Sequence, residues 1–157
     1  RSSASLASFL GNYLNLILEN VKLIHTNSVS ETFEQMLRVG PEDTVVGISF
    51  PRYSRRTLRA MEYAKAQGAR ILAITDSDQS PLQPLANITL KARSDMISFV
   101  DSLAAPLSLL NAILVALSLE QQEQMRRNLE NLEHIWKEYD VYESRDGEAG
   151  EAGTILS

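Results

Sequence analysis

The stretch Thr44–Thr57, TVVGISFPRYSRRT, sets the strongest limit on what this chain can fold into. Thr44, Val45, Val46, Gly47 and Ile48 are mostly β-branched and carry no charge, which is the composition of a buried strand. Ser49, Phe50 and Pro51 break that run. A helical pattern follows, with Ala60, Tyr63, Ala64 and Gln67 on one side, and it stops at Gly68. A second strand pattern, Arg70–Thr75 (RILAIT), comes next. Strand, helix and strand joined by short turns predict a crossover in a parallel α/β sheet. Ligands of such sheets bind at the carboxyl ends of the strands, beside the topological switch point. The polar turns at those ends are therefore the places to look for a function.

The rest of the chain extends the pattern. Ser2 or Ser3 is placed to cap a helix over Ala4–Leu18, where Leu6, Phe9, Leu10, Tyr13, Leu14, Ile17 and Leu18 recur at helical spacing. Val21–Thr26 (VKLIHT) reads as a short strand. Ser30 reads as the cap of a second helix, with Phe33, Met36 and Leu37 inward and Gly40-Pro41 as its stop. The helix after the Ser49–Ser54 turn is predicted from about Ser54 to Gln67, and Asn87–Ala92 reads as a last strand. In the C-terminal third, Leu103, Leu107, Leu110, Leu114 and Leu117 step by four and three, and Met125, Leu129, Leu132, Trp136 and Tyr139 repeat the stepping. Ser118-Leu119-Glu120-Gln121 has capping-box form, so two helices are expected, Ser102–Leu117 and Leu119–Glu138. The first is apolar nearly all round and should be buried. The second carries one apolar stripe on a charged body, as a surface or subunit-contact helix does. Ser144–Gly153 is acidic and Gly-rich. The expected division is one domain over residues 1–143 and a tail over 144–157.

Composition narrows the function classes. The formal net charge of −5 makes the chain as a whole a poor electrostatic match for nucleic acid. It has no cysteine, which excludes thiolate chemistry and fits a reducing compartment. Its two histidines, His25 and His134, give little material for a metal site and have no carboxylate or serine partner by spacing, so both read as structural. No signal peptide opens the chain, which begins at Arg1. The most apolar run, Leu103–Leu119, is interrupted by Pro106 and Asn111 and is short for a membrane span. No catalytic motif, Gly-rich nucleotide loop or metal-ligand spacing is present, and no cofactor is expected.

The leading candidate site is the Ser49–Ser54 turn. A phosphate needs N–H and hydroxyl donors and no fixed negative charge nearby, and no acidic residue lies between Asp43 and Glu62. The same residues also fit a plain turn with Ser54 as a helix cap, and the sequence allows both readings. Arg52, just before the helix, is the arginine best placed to reach an anion there. Arg55, Arg56 and Arg59 read as a solvated face, and Arg1 has a weak claim by position. Asp76 can accept hydrogen bonds from sugar hydroxyls or cap its own turn. Asp101 and Ser102 read first as caps for the following helix and second as lining of the pocket.

These residues carry a resemblance. A strand ending in Ser, a short loop, and Ser and Thr at a helix start resemble the second phosphosugar loop of the sugar isomerase (SIS) domain. AKAQGARILAITDSDQSPL resembles that fold's helix–strand–turn, and RSSASLASFL the end of its first loop and first helix. GISFPRYSRRT, with SDMISFVDSLAAPLSLLNAILVAL behind it, is most similar to the effector domain of RpiR-type (MurR/RpiR) bacterial transcriptional regulators. The likeness runs from Arg1 to about Tyr142. It implies a three-layer parallel sheet of flavodoxin-like order, five-stranded, with the first strand lying ahead of Arg1 and C-terminal helices behind. It also implies a sugar-phosphate effector, self-association as a dimer or tetramer, a cytoplasmic setting away from membranes, and DNA contact through an N-terminal helix-turn-helix domain outside these residues. By motif position Ser2, Ser3, Ser49 and Ser54 would hold the phosphate. Arg52 and Tyr53 stand where the family usually has Gln/Ser-Gly wording, so Phe50–Tyr53 is where ligand choice is expected to reside. The Val21 strand would have lost its partner, and a protein of strictly these residues is expected to fold poorly.

The leading functional expectation is a sugar-phosphate sensor without catalysis. An enzyme of the same fold, an isomerase or sugar-phosphate ether lyase, is the alternative. Such enzymes need a general base, usually Glu or His, and the loops here offer Asp76 and Asp101 only. A pure oligomerisation module on Met125–Tyr139 is a third, weaker reading.

Overall fold

Strands with apolar side chains on both faces need cover on both faces, and the computed structural model arranges the chain that way. It describes residues 2–26, 28–94 and 102–142. The elements are α1 (Ser2–Ile17), α2 (Val29–Gln35), β1 (Thr44–Ile48), α3 (Arg55–Ala66), β2 (Arg70–Thr75), β3 (Ile88–Lys91), α4 (Ala104–Glu120) and α5 (Gln122–Glu138), with one 3-10 turn at Gln83–Leu85. The three strands form one parallel sheet in the order β1-β2-β3. Val46 lies opposite Leu72 and Ile48 opposite Ile74, while Ala73 lies opposite Thr89.

Strand alternation divides the core in two. Val46, Ile48, Ile74 and Leu90 point to one face and meet Leu6, Leu10 and Ile17 of α1 and Leu110 and Leu114 of α4. Val45, Ile71 and Ala73 point to the other and meet Met61 and Ala64 of α3, with Met36 and Leu82. Helices on both faces of a parallel sheet give the three-layer α/β architecture expected from the sequence.

The strand predictions at 44–48 and 70–75 coincide with β1 and β2, and Asn87–Ala92 contains β3. Several expectations need correction. Val21–Thr26 forms no strand. The ladder explains the gap: Ser49 N–H donates to Ile74 C=O and Arg70 N–H to Asp43 C=O, so odd-numbered backbone groups of β1 face β2. The groups of Thr44, Val46 and Ile48 then face away, and among the described residues no backbone hydrogen bond ties them to residues 21–26. Second, α2 is capped by Ser28, whose Oγ accepts from Glu31 N–H at 3.4 Å, and not by Ser30; Leu37 beyond it is 73% exposed. Third, Ser118 does not start a helix. It lies inside α4, where its Oγ donates back to Val115 C=O at 2.8 Å, and the chain bends one turn later than expected. Fourth, α4 is not buried all round. Pro106, Leu110 and Leu114 are covered, while Leu107, Val115 and Leu119 are exposed. Ser2 and Ser3 form the first turn of α1 rather than standing ahead of it, and α4 is preceded by Leu103 with no side-chain cap. The predicted tail at 144–157 and Asp101 lie outside the described residues.

The stripe on α5 packs as an amphipathic helix should. Met125 borders the α1/α4 core, and Asn128 Nδ2 donates to Leu16 C=O at the end of α1 at 2.9 Å. Among the described residues no single helix is long and apolar enough to cross a membrane.

Candidate functional site

β1 ends at Ile48, and the chain must turn within six residues to start α3 at Arg55. Three contacts hold that turn. Phe50 is 7% exposed and belongs to the α1/α4-side core, which pins the loop's first half. Ser49, 3% exposed, accepts from Ser54 N–H through its Oγ at 3.1 Å. Ser54 in turn caps α3, its Oγ accepting from Thr57 N–H at 3.3 Å. The plain reading is thus met: Ser54 is a helix cap, Ser49 holds the turn, and one hydrogen bond joins the two residues at the carboxyl end of β1. No acidic residue occupies the first turn of α3, so the positive end of its dipole faces the loop uncompensated by a carboxylate of its own.

Arg52 has φ +68°. A left-handed conformation costs a non-glycine residue about 1 kcal/mol, and glycine would adopt it freely. The departure noted in the sequence, arginine and tyrosine in place of a glycine-bearing loop, therefore does not stiffen the loop out of its turn. The turn is kept, and the strain sits on Arg52. Arg52 is exposed, as are Pro51, Arg55 and Arg59.

Tyr53 bridges to the neighbouring strand. Its hydroxyl donates to Asp76 Oδ1 at 2.7 Å, joining the turn after β1 to the turn after β2. Beneath Asp76 lies a buried hydroxyl pair: Thr75 Oγ1, fully buried, is 2.7 Å from Ser80 Oγ and 3.2 Å from Asp76 Oδ1. Ser80 Oγ also accepts from Leu82 N–H at 3.3 Å. Burial pushes the Asp76 carboxyl up, but the hydrogen bonds from Tyr53, its own backbone N–H, Ser77 and Thr75 outweigh it and hold the group below the usual carboxylate range. Burial, then the Asp76 hydrogen bond and charge, push the Tyr53 phenol up. The pair is a neutral phenol donating to a carboxylate at neutral pH.

The predicted site residues therefore separate into two groups. Ser49, Arg52, Tyr53, Ser54 and Asp76 converge on the carboxyl ends of β1 and β2. Ser2 and Ser3 open α1, and among the described residues no hydrogen bond joins Ser3 to the loop; the link is indirect, through Leu6 and Phe50 in one buried cluster. Phe50 is a core anchor, which removes it from the stretch expected to select a ligand. Thr75 and Ser80 are the residues that sequence reading missed. Two hydroxyls in the turn after an apolar strand were visible, but their pairing depends on how that turn folds back. Among the described residues no group of His, Asp and Glu could hold a metal ion. His25 is exposed, and His134 Nδ1 lies 3.6 Å from Glu138 on the open side of α5.

Comparison with known proteins agrees with this fold. No curated protein matches the chain. Among solved structures, the sugar isomerase domain of an RpiR transcription factor from Sphaerobacter thermophilus superposes with a TM-score of 0.77 at 26% identity, covering 83% of this chain and 73% of that one. The Vibrio vulnificus NanR protein complexed with ManNAc-6P gives 0.71 at 16% identity over 88% of this chain and 53% of NanR, about half its length. The E. coli CFT073 protein c3406, in complex with a phosphosugar, gives 0.66 at 20% identity, covering 85% and 72%. At those lower identities the likeness speaks for the fold alone. The SIS domain family matches residues 1–116, nearly three quarters of the chain, and the protein belongs to the SIS domain family.

Proposed function

We propose that this domain, reaching from residue 1 to about 143, is the sugar-phosphate-sensing part of a bacterial transcriptional regulator and carries out no catalysis of its own. The carrying observation is the Ser49–Ser54 pair at the head of α3, at the carboxyl end of a parallel strand and free of acidic neighbours in the first helical turn. The likeness to an RpiR transcription factor domain supports the regulatory role, and the phosphosugars bound by NanR and c3406 support the ligand class. Ser49, Ser54 and Arg52 hold the phosphate, Tyr53 and Asp76 meet the sugar, and Ser2 and Ser3 contribute from the start of α1. Ligand shifts the arrangement of subunits, and DNA is reached through a helix-turn-helix domain beyond these residues. The chemistry of Asp76 favours sensing over an isomerase or lyase: a carboxylate held below its usual range is a poor general base.

A thermal-shift panel tests this. Sugar phosphates should raise the melting temperature while the same sugars without phosphate should not. The Ser49→Ala, Ser54→Ala double variant, measured against its own baseline because Ser54 also caps α3, should lose the shift. A full shift in that variant refutes the placement of the site, and turnover of a stabilising compound makes the domain an enzyme.

A further inference from the structure

The Tyr53–Asp76 bond takes one of the acceptor positions on Asp76 that a sugar would use. A phenol O–H and a sugar O–H are the same kind of donor, and Asp76 Oδ1 already holds one at 2.7 Å. The two halves of this bond are built differently. Asp76 follows a strand paired on both sides, and it stands on Thr75 and Ser80, both buried and bonded to each other. Its position is fixed. Tyr53 comes from an exposed turn whose preceding residue, Arg52, sits at φ +68°. The ring of Tyr53 rests on the edge of the α3-side core, and its hydroxyl end reaches out across the gap between the two turns. The first half of the turn is pinned by Phe50 and its end by the Ser49–Ser54 bond, so what an exchange of the Tyr53 bond can move is the short span between them, where the backbone strain sits at Arg52.

We infer that Tyr53 is a latch that the ligand opens: a sugar phosphate seated on the Ser49–Ser54 turn places a hydroxyl on the Asp76 carboxylate in place of the Tyr53 hydroxyl, and the released turn relaxes at Arg52. This rests on the sugar-phosphate reading above and adds to it how the site tells a sugar phosphate from other phosphates. Inorganic phosphate binds the serine turn but has no sugar hydroxyl to put on Asp76, so it leaves the latch shut. Occupancy by the correct class of ligand is thereby converted into a change in the loop, which is what a sensor must transmit.

The sign of one substitution separates a latch from a fixed positioning residue. Tyr53→Phe keeps the ring against the core and removes the competing hydroxyl. It should bind ManNAc-6P, or whichever hexose or pentose phosphate stabilises the wild type, about three- to tenfold more tightly by calorimetric titration, the size of one hydrogen bond no longer displaced. Affinity for inorganic phosphate should stay the same. Asp76→Asn should weaken the sugar phosphate and leave inorganic phosphate unchanged. With ring-labelled tyrosine, the Tyr53 phenol carbon signal, assigned through Tyr53→Phe, should move on adding the sugar phosphate and stay put with inorganic phosphate. Unchanged or weaker sugar-phosphate binding in a cooperatively melting Tyr53→Phe overturns the latch while leaving the sensor reading standing. A wild type that binds no sugar phosphate at all overturns both.

Discussion

At Gly47 one hydrogen atom decides how closely α3 approaches the sheet. Glycine inside a strand gives up β propensity and packing, so TVVGI looks weaker as a strand than it is. A Cβ built on Gly47 would overlap the Met61 sulfur and touch its Cγ and Cε. Met61 is 1% exposed and lies at the centre of the α3-side core, so its side chain has little room to yield. Gly47→Ala should therefore cost about 1–3 kcal/mol by overpacking, a fall in Tm of roughly 2–4 °C per kcal/mol for a domain of this size. In a double-mutant cycle, Met61→Ala should cost clearly less in the Gly47→Ala background than in the wild type, because the space it vacates receives the new methyl. Strict additivity of the two urea midpoints would show that the contact is not the cause. The sequence displayed the glycine and the methionine. It could not display that they meet, because their contact is made by folding α3 back over β1. The same holds for Tyr53 with Asp76, which are neighbours only once β1 and β2 are side by side, while Thr75 meets Ser80 only through the way the turn after β2 folds back. Ser49 and Ser54 were legible because the strand–turn–helix that brings them together is local.

Among the elements, legibility followed the strength of the local signal. β1, β2 and α3 stand within a residue or two of where β-branched runs, Ser54 and Gly68 put them, since the caps and the left-handed Gly68 at φ +86° mark the ends physically. The α4–α5 junction was misread because Ser118-Leu119-Glu120-Gln121 satisfies a capping pattern that a continuing helix also satisfies, with Ser118 bonding back into its own turn. The burial of α4 was overestimated for a different reason. A helix apolar on all sides needs cover on all sides, and among the described residues only the side of Pro106, Leu110 and Leu114 is covered. Leu107, Val115 and Leu119 remain exposed, at 37%, 58% and 62%, on a helix without a charge until Glu120. We propose that a second copy of the chain covers this face. Val115→Glu with Leu119→Glu should then shift the protein toward monomer in sedimentation, while the stability of the monomer stays within about 0.5 kcal/mol, as for other exposed sites. An unchanged sedimentation coefficient would place the subunit contact elsewhere.

For the molecule as a whole, the open question of stability lies at the edge of the sheet. β2 is paired on both sides and β3 closes one end. β1 is paired on one side only among the described residues, yet it is uncharged and β-branched, the composition of an interior strand rather than a guarded edge. The backbone groups of Thr44, Val46 and Ile48 that face away from β2 can each take a ladder partner. Residues 21–26, which carry the pattern of a strand, join no sheet. Both features have one remedy: strand-forming sequence ahead of Arg1 that paired with β1 on its open side and with residues 21–26 on its other side would make β1 an interior strand and residues 21–26 the new edge. A protein carrying about ten residues of strand-forming sequence before Arg1 should melt more cooperatively and at higher temperature than residues 1–157 alone. Residues 21–26 should then show slowed amide exchange along with those of β1. Those two sets of amides gaining protection together, with no change in α5, identifies the inserted strand as the cause. Coincident melting curves for the two proteins would mean that β1 is stable as an edge and that the strand pattern at Val21–Thr26 serves only to pack its apolar side chains.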